Sequence, residues 1–205
     1  MTLHRARVAV VWLCLLALAA CSHTPPPLPR LAQDDVVLAF GDSLTYGTGV
    51  DEAQSYPSVL SQLIQRQVVR AGVPGEQTAD GMARLPDELD KTHPKLLLLC
   101  LGGNDLIHKV APETIAANLR QMVKMARQRG IAVVLIGVPE PKLFGGVPAF
   151  YADLAKQDNI PFEGAVFKKI LFDNSKKSDP IHPNAAGYRI VAEQIAALLH
   201  AAGAV

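Results

Sequence analysis

Short unbroken apolar runs alternate along this chain with longer stretches whose apolar residues recur every three or four positions. Val36-Val37-Leu38-Ala39-Phe40 is the first run, and 67–71, 95–101 and 131–138 follow. Unbroken runs of this length suit strands covered on both faces, as in a parallel sheet. Residues 56–66 put Val59, Leu60, Leu63 and Ile64 on one helical face, and 113–129 do the same with Ile115, Leu119, Met122, Val123 and Ala126. Pro112 suits the first position of this second helix, Glu113 complements its dipole, and Arg127, Arg129 and Gly130 mark its end. Residues 78–91 read as a helix capped by Thr78, which Pro86 kinks or splits. A short helix over 148–157, a fifth strand near 160–162 and a closing helix over 184–201 complete the pattern. The alternation predicts a three-layer α/β/α sandwich around a mainly parallel five-stranded sheet, a fold that binds ligands beyond the carboxyl ends of its strands.

The start of the chain follows a different logic. His4, Arg5 and Arg7 precede an apolar run of 13 residues over 8–20, which ends in Leu18-Ala19-Ala20-Cys21. A helix needs about 20 residues to cross a bilayer, so 1–20 read as a signal peptide. Leu18-Ala19-Ala20-Cys21 resembles a bacterial lipobox, which implies cleavage before Cys21 and acylation of its thiol and new amino group. The other reading is an ordinary secreted protein whose cleavage site happens to precede a cysteine. Residues 21–33 then comprise the lipidated cysteine and a tether in which Pro25, Pro26, Pro27 and Pro29 oppose helix and sheet. Residues 34–205 have the length of one domain. The expectation is an exported lipoprotein held to the membrane through Cys21 and facing the periplasm or cell surface. Ser22 after the cysteine resembles the pattern sorted to an outer membrane, where the cell has one.

Loss of 1–20 removes Arg5 and Arg7, leaving 18 Lys+Arg against 19 Asp+Glu, a formal charge of −1. That balance argues against a nucleic-acid partner. Cys14 leaves with the signal and Cys21 is modified, so Cys100 has no partner for an internal disulfide. Set within Leu96-Leu97-Leu98-Leu99-Cys100-Leu101, it reads as a small hydrophobe of a buried strand rather than a nucleophile.

Four features at or near strand ends carry chemistry. Phe40-Gly41-Asp42-Ser43-Leu44 offers a nucleophile, and Asp179-Pro180-Ile181-His182-Pro183 offers a base with an orienting carboxylate three residues away. Gly75 and Asn104 offer a backbone N–H and a side-chain amide to a developing oxyanion. Each has a plainer reading alone: Gly-Asp-Ser as a turn and cap, Asp179–His182 as a loop stabiliser or half of a metal site, and Gly75 and Gly102-Gly103-Asn104 as turns. No further His or Cys stands at metal-ligand spacing, and no cofactor-binding motif is present. Thr45 replaces the second glycine of a Gly-x-Ser-x-Gly elbow, which disfavours the α/β-hydrolase architecture. Taken together, the four features describe one acyl-transfer site, that of a serine esterase.

Their order is similar to that of the GDSL or SGNH hydrolase family, over about residues 36–202. Ala83-Arg84-Leu85-Pro86 adds a likeness to its bacterial thioesterase, lysophospholipase and arylesterase branch. The resemblance implies a flavodoxin-like fold, Ser43 as nucleophile, His182 as base, Asp179 as its orienter, and an oxyanion hole from Ser43, Gly75 and Asn104. One departure is Gly75-Glu76-Gln77-Thr78, where that branch usually has Gly-Asp-Thr or Gly-Asn-Thr. The segment 138–150 also looks shorter than in thioesterase-like relatives.

Leu106, Ile107, Leu143, Phe144, Val147 and Phe150 are the candidate lining of an apolar cleft for acyl esters or thioesters. The alternatives are removal of O-acetyl groups from a cell-wall or surface glycan, and a binding lipoprotein without catalysis. Trp12 is the only tryptophan and lies in the signal peptide, so the mature domain lacks the best stacking residue for a sugar.

Overall fold

The computed structural model describes residues 24–141 and 145–205. Cys21, Leu143 and Phe144 lie outside them. Strands β1 (Val36–Gly41), β2 (Gln67–Gly72), β3 (Leu96–Cys100), β4 (Ala132–Ile136) and β5 (Phe162–Glu163) form one parallel sheet in the order β2-β1-β3-β4-β5. The helices, in chain order, are α1 (Ser43–Tyr46), α2 (Tyr56–Ile64), α3 (Thr78–Thr92), α4 (Gly103–Ile107), α5 (Pro112–Gln128), α6 (Ala149–Gln157), α7 (Val166–Leu171) and α8 (Ala185–Ala201).

Strand alternation divides the interior into two cores. Val37, Ala39, Leu96, Leu98 and Cys100 face α2, α7 and α8, while Leu38, Phe40, Leu97 and Leu99 face α3, α5 and α6. All of β3 is buried, which is why its sequence shows no polar alternation. Edge strand β2 is mostly half-buried and exposes Gln67.

Local expectations fail in instructive places. Pro86 does not split helix α3, whose halves are held together by Leu85 and Leu89 buried in one core. Thr78 is its first residue and not its cap: the Thr78 N–H donates to Asp105 Oδ2 at 2.9 Å, so a carboxylate from α4 supplies the acceptor. Helix α7 has only six residues, too few for a periodic signal, and the Glu163 carboxylate accepts the Ala165 and Val166 N–H groups at its start. The proline-rich segment is docked from Leu28 onward, where the Leu28 and Leu31 N–H groups donate to the Ala202 and Ala204 carbonyls at 2.8 and 2.9 Å. Leu31 is buried beside α8, so the end of the segment read as tether belongs to the folded domain.

Candidate active site

The strand order reverses direction at β1, whose neighbours are β2 and β3. Such a switch point opens a crevice at the carboxyl ends of the strands. Ser43 follows β1 and Asn104 follows β3, so both fall in that crevice. Gly41 makes the close approach possible, since a Cβ there would collide with the Cys100 carbonyl and the Thr45 side chain. Asp42 turns the chain into α1 by accepting the Leu44 N–H at 3.0 Å. Helix α1 is a single turn, so the dipole it offers Ser43 is small.

The loop before the last helix meets this turn. His182 Nε2 lies 2.9 Å from Ser43 Oγ, and Nδ1 lies 2.7 Å from Asp179 Oδ2. The other carboxylate oxygen, Oδ1, accepts the Ile181 and His182 N–H groups, each at 2.9 Å, which fixes the loop around the acid. Burial pushes the Asp179 carboxyl upward, but the hydrogen bonds from the His182 ring and the two amides outweigh it and hold the pKa below the ordinary value. An ionised Asp179 accepts the Nδ1 proton and leaves Nε2 to accept the Ser43 hydroxyl proton.

On the opposite side, the Asn104 amide donates to the Glu76 carbonyl at 3.0 Å and reaches Asp42 Oδ2 at 3.3 Å. Gly75 precedes Glu76 at φ +83°, in a turn closed by the Glu76 N–H on the Val73 carbonyl at 3.1 Å. Among the described residues no acceptor takes the Ser43 or Gly75 N–H. The structure thus gathers Ser43, His182, Asp179 and Asn104; Gly75 stands beside them, outside the walls of the cavity. The loop is stitched again at Thr78, whose hydroxyl donates to Asp105 Oδ1 at 2.6 Å and accepts from Asn118 Nδ2 at 3.0 Å. Among the described residues no cluster of three metal-ligating side chains occurs. Cys100 is buried in β3, where burial pushes its thiol pKa well up.

Asp42 is buried behind Ser43, and its pKa is raised to about 7, chiefly by burial and then by the charges of Glu76 and Asp105, against the lowering effect of the Leu44 N–H. A carboxyl whose folded pKa exceeds its unfolded value binds more protons in the native state, so its contribution to stability falls as pH rises from about 4 to 7. The penalty is absent below that window and complete above it. Relative to wild type, Asp42→Asn should therefore gain stability progressively across that range, by up to about 4 kcal/mol. Denaturant unfolding at stepped pH measures this, and a difference constant with pH would contradict it.

A cavity of about 480 Å3 opens on Ser43, Asn104 and His182. Of the apolar residues proposed from sequence, Ile107 lines it, whereas Leu106, Val147 and Phe150 pack against the core under α5 and α6. Its other apolar walls, missed in the sequence, include Val138, Pro139, Leu171, Phe172 and Ile181. Leu171 and Phe172 come from the end of α7, the helix that periodicity could not reveal.

A model of the GDSL-like lipase/acylhydrolase family matches residues 39–190. Esterase TesA of Pseudomonas aeruginosa is 31% identical over 183 residues, spanning 82% of this chain and 89% of that protein. Thioesterase 1/protease 1/lysophospholipase L1 of Escherichia coli K12 is 29% identical over 175 residues, spanning 82% of this chain and 84% of that protein. A crystal structure of TesA superposes with a TM-score of 0.74 at 28% identity, covering 80% of this chain and 98% of that one. With its five-stranded parallel sheet and helices on both faces, the chain belongs to the GDSL-like lipase/acylhydrolase family.

Proposed function

We propose that this protein cleaves acyl esters or thioesters through an acyl-enzyme on Ser43. The observation that carries the reading is the continuous path from Asp179 through His182 to Ser43, with contacts of 2.7 and 2.9 Å, at the wall of an apolar cavity. His182 Nε2 takes the Ser43 proton as Oγ bonds to the acyl carbon, and Asp179 stabilises the imidazolium. The oxyanion is met by the Ser43 and Gly75 N–H groups and the Asn104 amide. One Asn104 amide hydrogen is committed to the Glu76 carbonyl; the other, in the longer 3.3 Å contact with Asp42, is the one a substrate oxygen can capture. Collapse breaks the bond to the leaving oxygen or sulfur, which receives the proton from His182. Water then repeats the sequence on the acyl-enzyme, releasing the carboxylic acid and restoring Ser43.

Ile107, Val138, Leu171, Phe172 and Ile181 suit an acyl chain rather than a bare acetyl group. The named activities of the relatives, esterase, thioesterase and lysophospholipase, agree with acyl substrates. We further propose that the enzyme works as an exported lipoprotein anchored through Cys21, on the signal and lipobox-like pattern of its sequence. Turnover of p-nitrophenyl esters from acetate to laurate, with acetylated glycan and lysophospholipid in parallel, tests the substrate class. Activity should rise from acetate to a medium chain. Efficient deacetylation of glycan without longer-chain turnover would transfer the assignment to the O-acetylesterase alternative. The intact mass of the membrane-extracted protein tests the anchor, which an unacylated Cys21 would exclude.

A further inference from the structure

We propose that the Glu76–Arg84 ion pair is a positioning device for the oxyanion donors, acting through Gly75 and Asn104 without touching the ester. The inference rests on the catalytic reading of Ser43 and adds two residues to which that reading gives no role. Glu76 is buried although charged, an expensive placement unless it is fully partnered. Arg84 supplies the partner in a two-pronged contact, Nε to Oε1 and the guanidinium Nη2 to Oε2, both at 2.7 Å. The guanidinium is itself fixed from three sides: it lies 4.1 Å over the centre of the Phe40 ring, donates to the Ala71 carbonyl at 3.1 Å and stands 3.6 Å from Glu88. Phe40 and Ala71 belong to β1 and β2, so the pair ties the loop after β2 to the two strands beneath the crevice.

What the pair holds is the residue between the two oxyanion donors. Glu76 is pinned by its carboxylate on Arg84, its N–H on the Val73 carbonyl, and its own carbonyl, which orients the Asn104 amide. Gly75, one residue earlier, lies in open space on its Cβ side, so its N–H is aimed by the backbone turn alone, closed by the Glu76 N–H on the Val73 carbonyl and anchored by the Val73 N–H on the Gly41 carbonyl. Its placement depends on Glu76. This also accounts for the departure at Gly75-Glu76, because the extra methylene of glutamate still ends in a satisfied ion pair. Thr78 on Asp105 is a second stitch, but it lies two residues beyond Glu76 and does not set the Glu76 carbonyl.

The test uses the purified full-length chain and a short p-nitrophenyl ester, with kcat, KM and melting temperature read on each preparation. Glu76→Gln keeps the shape and removes the charge; a displacement of about 1 Å at a donor costs on the order of 100-fold, so kcat should fall about 10- to 100-fold with KM within about threefold. Glu76→Asp, which restores the charge, should recover most of the rate. The decisive arm is the Asn104→Ala background, where Glu76→Gln should cost far less than in wild type because one of the donors it positions is gone. A purely structural pair would lower both backgrounds by the same factor, and that result, or a wild-type kcat in Glu76→Gln, overturns the proposal. If Glu76→Gln does not fold, Arg84→Lys reads the same question, since it keeps the charge and loses the two-pronged geometry; an unchanged kcat there counts against the proposal equally. Undiminished turnover in Ser43→Ala would instead remove the catalytic reading itself, so the two failures are distinct.

Discussion

Ser43→Ala and His182→Ala should each lower kcat by about 10^4- to 10^6-fold, with little change in KM. The 2.9 Å contact between Ser43 Oγ and His182 Nε2 makes them one functional unit, because the hydroxyl is a poor nucleophile until a base takes its proton. Removing either leaves only the oxyanion donors and substrate binding, so the double variant should be scarcely slower than either single one. A product of the two effects would mean that the groups act in separate steps. Asp179→Asn should cost less than either, because Asp179 is the more exposed partner, at 41% against 13% for His182. The assay is ester turnover normalised by Ser43 titration with an organophosphonate in wild type and by folded fraction in the variants. Wild-type turnover in Ser43→Ala would refute the mechanism.

The sheet was legible because its evidence is local. A strand covered on both faces must be apolar at every position, and Leu96–Cys100 is so wherever one looks along it. Helix α5 was legible for the same reason, with Pro112, Glu113 and its five core residues all within the segment they describe. Ser43, His182 and Asp179 were legible as candidates from their motifs, although nothing local reveals that residues 43 and 182, far apart in the chain, approach to 2.9 Å. Contacts between distant segments were the ones missed. Thr78 looked like a cap because the acceptor it serves, Asp105, lies 27 residues away. Arg84 entered the sequence reading only as part of the Ala83-Arg84-Leu85-Pro86 likeness, because Glu76, Phe40 and Ala71 meet it only in the fold. The cavity walls failed similarly, since Phe150 is as apolar as Phe172 and only the packing decides which one faces the core.

Asn104→Ala should lower kcat by roughly 100- to 1000-fold, about 2.7–4 kcal/mol, with KM nearly unchanged, because an oxyanion donor strengthens its bond only as charge develops. The competing role is that Asn104 merely shapes the turn after β3. The left-handed residue of that turn is Gly102, at φ +114°, and Asn104 is not among the positive-φ residues. It sits inside helix α4, where alanine is the better helix former. The stability loss should therefore be confined to the hydrogen bonds with the Glu76 carbonyl and Asp42 Oδ2, about 1–2 kcal/mol. A cost that small cannot produce a hundredfold change in kcat by unfolding the enzyme at assay temperature. Melting temperature and kcat measured on one preparation separate the two roles: a small thermal shift with a large kcat loss fits the donor, and a marked thermal shift with normal turnover fits the turn.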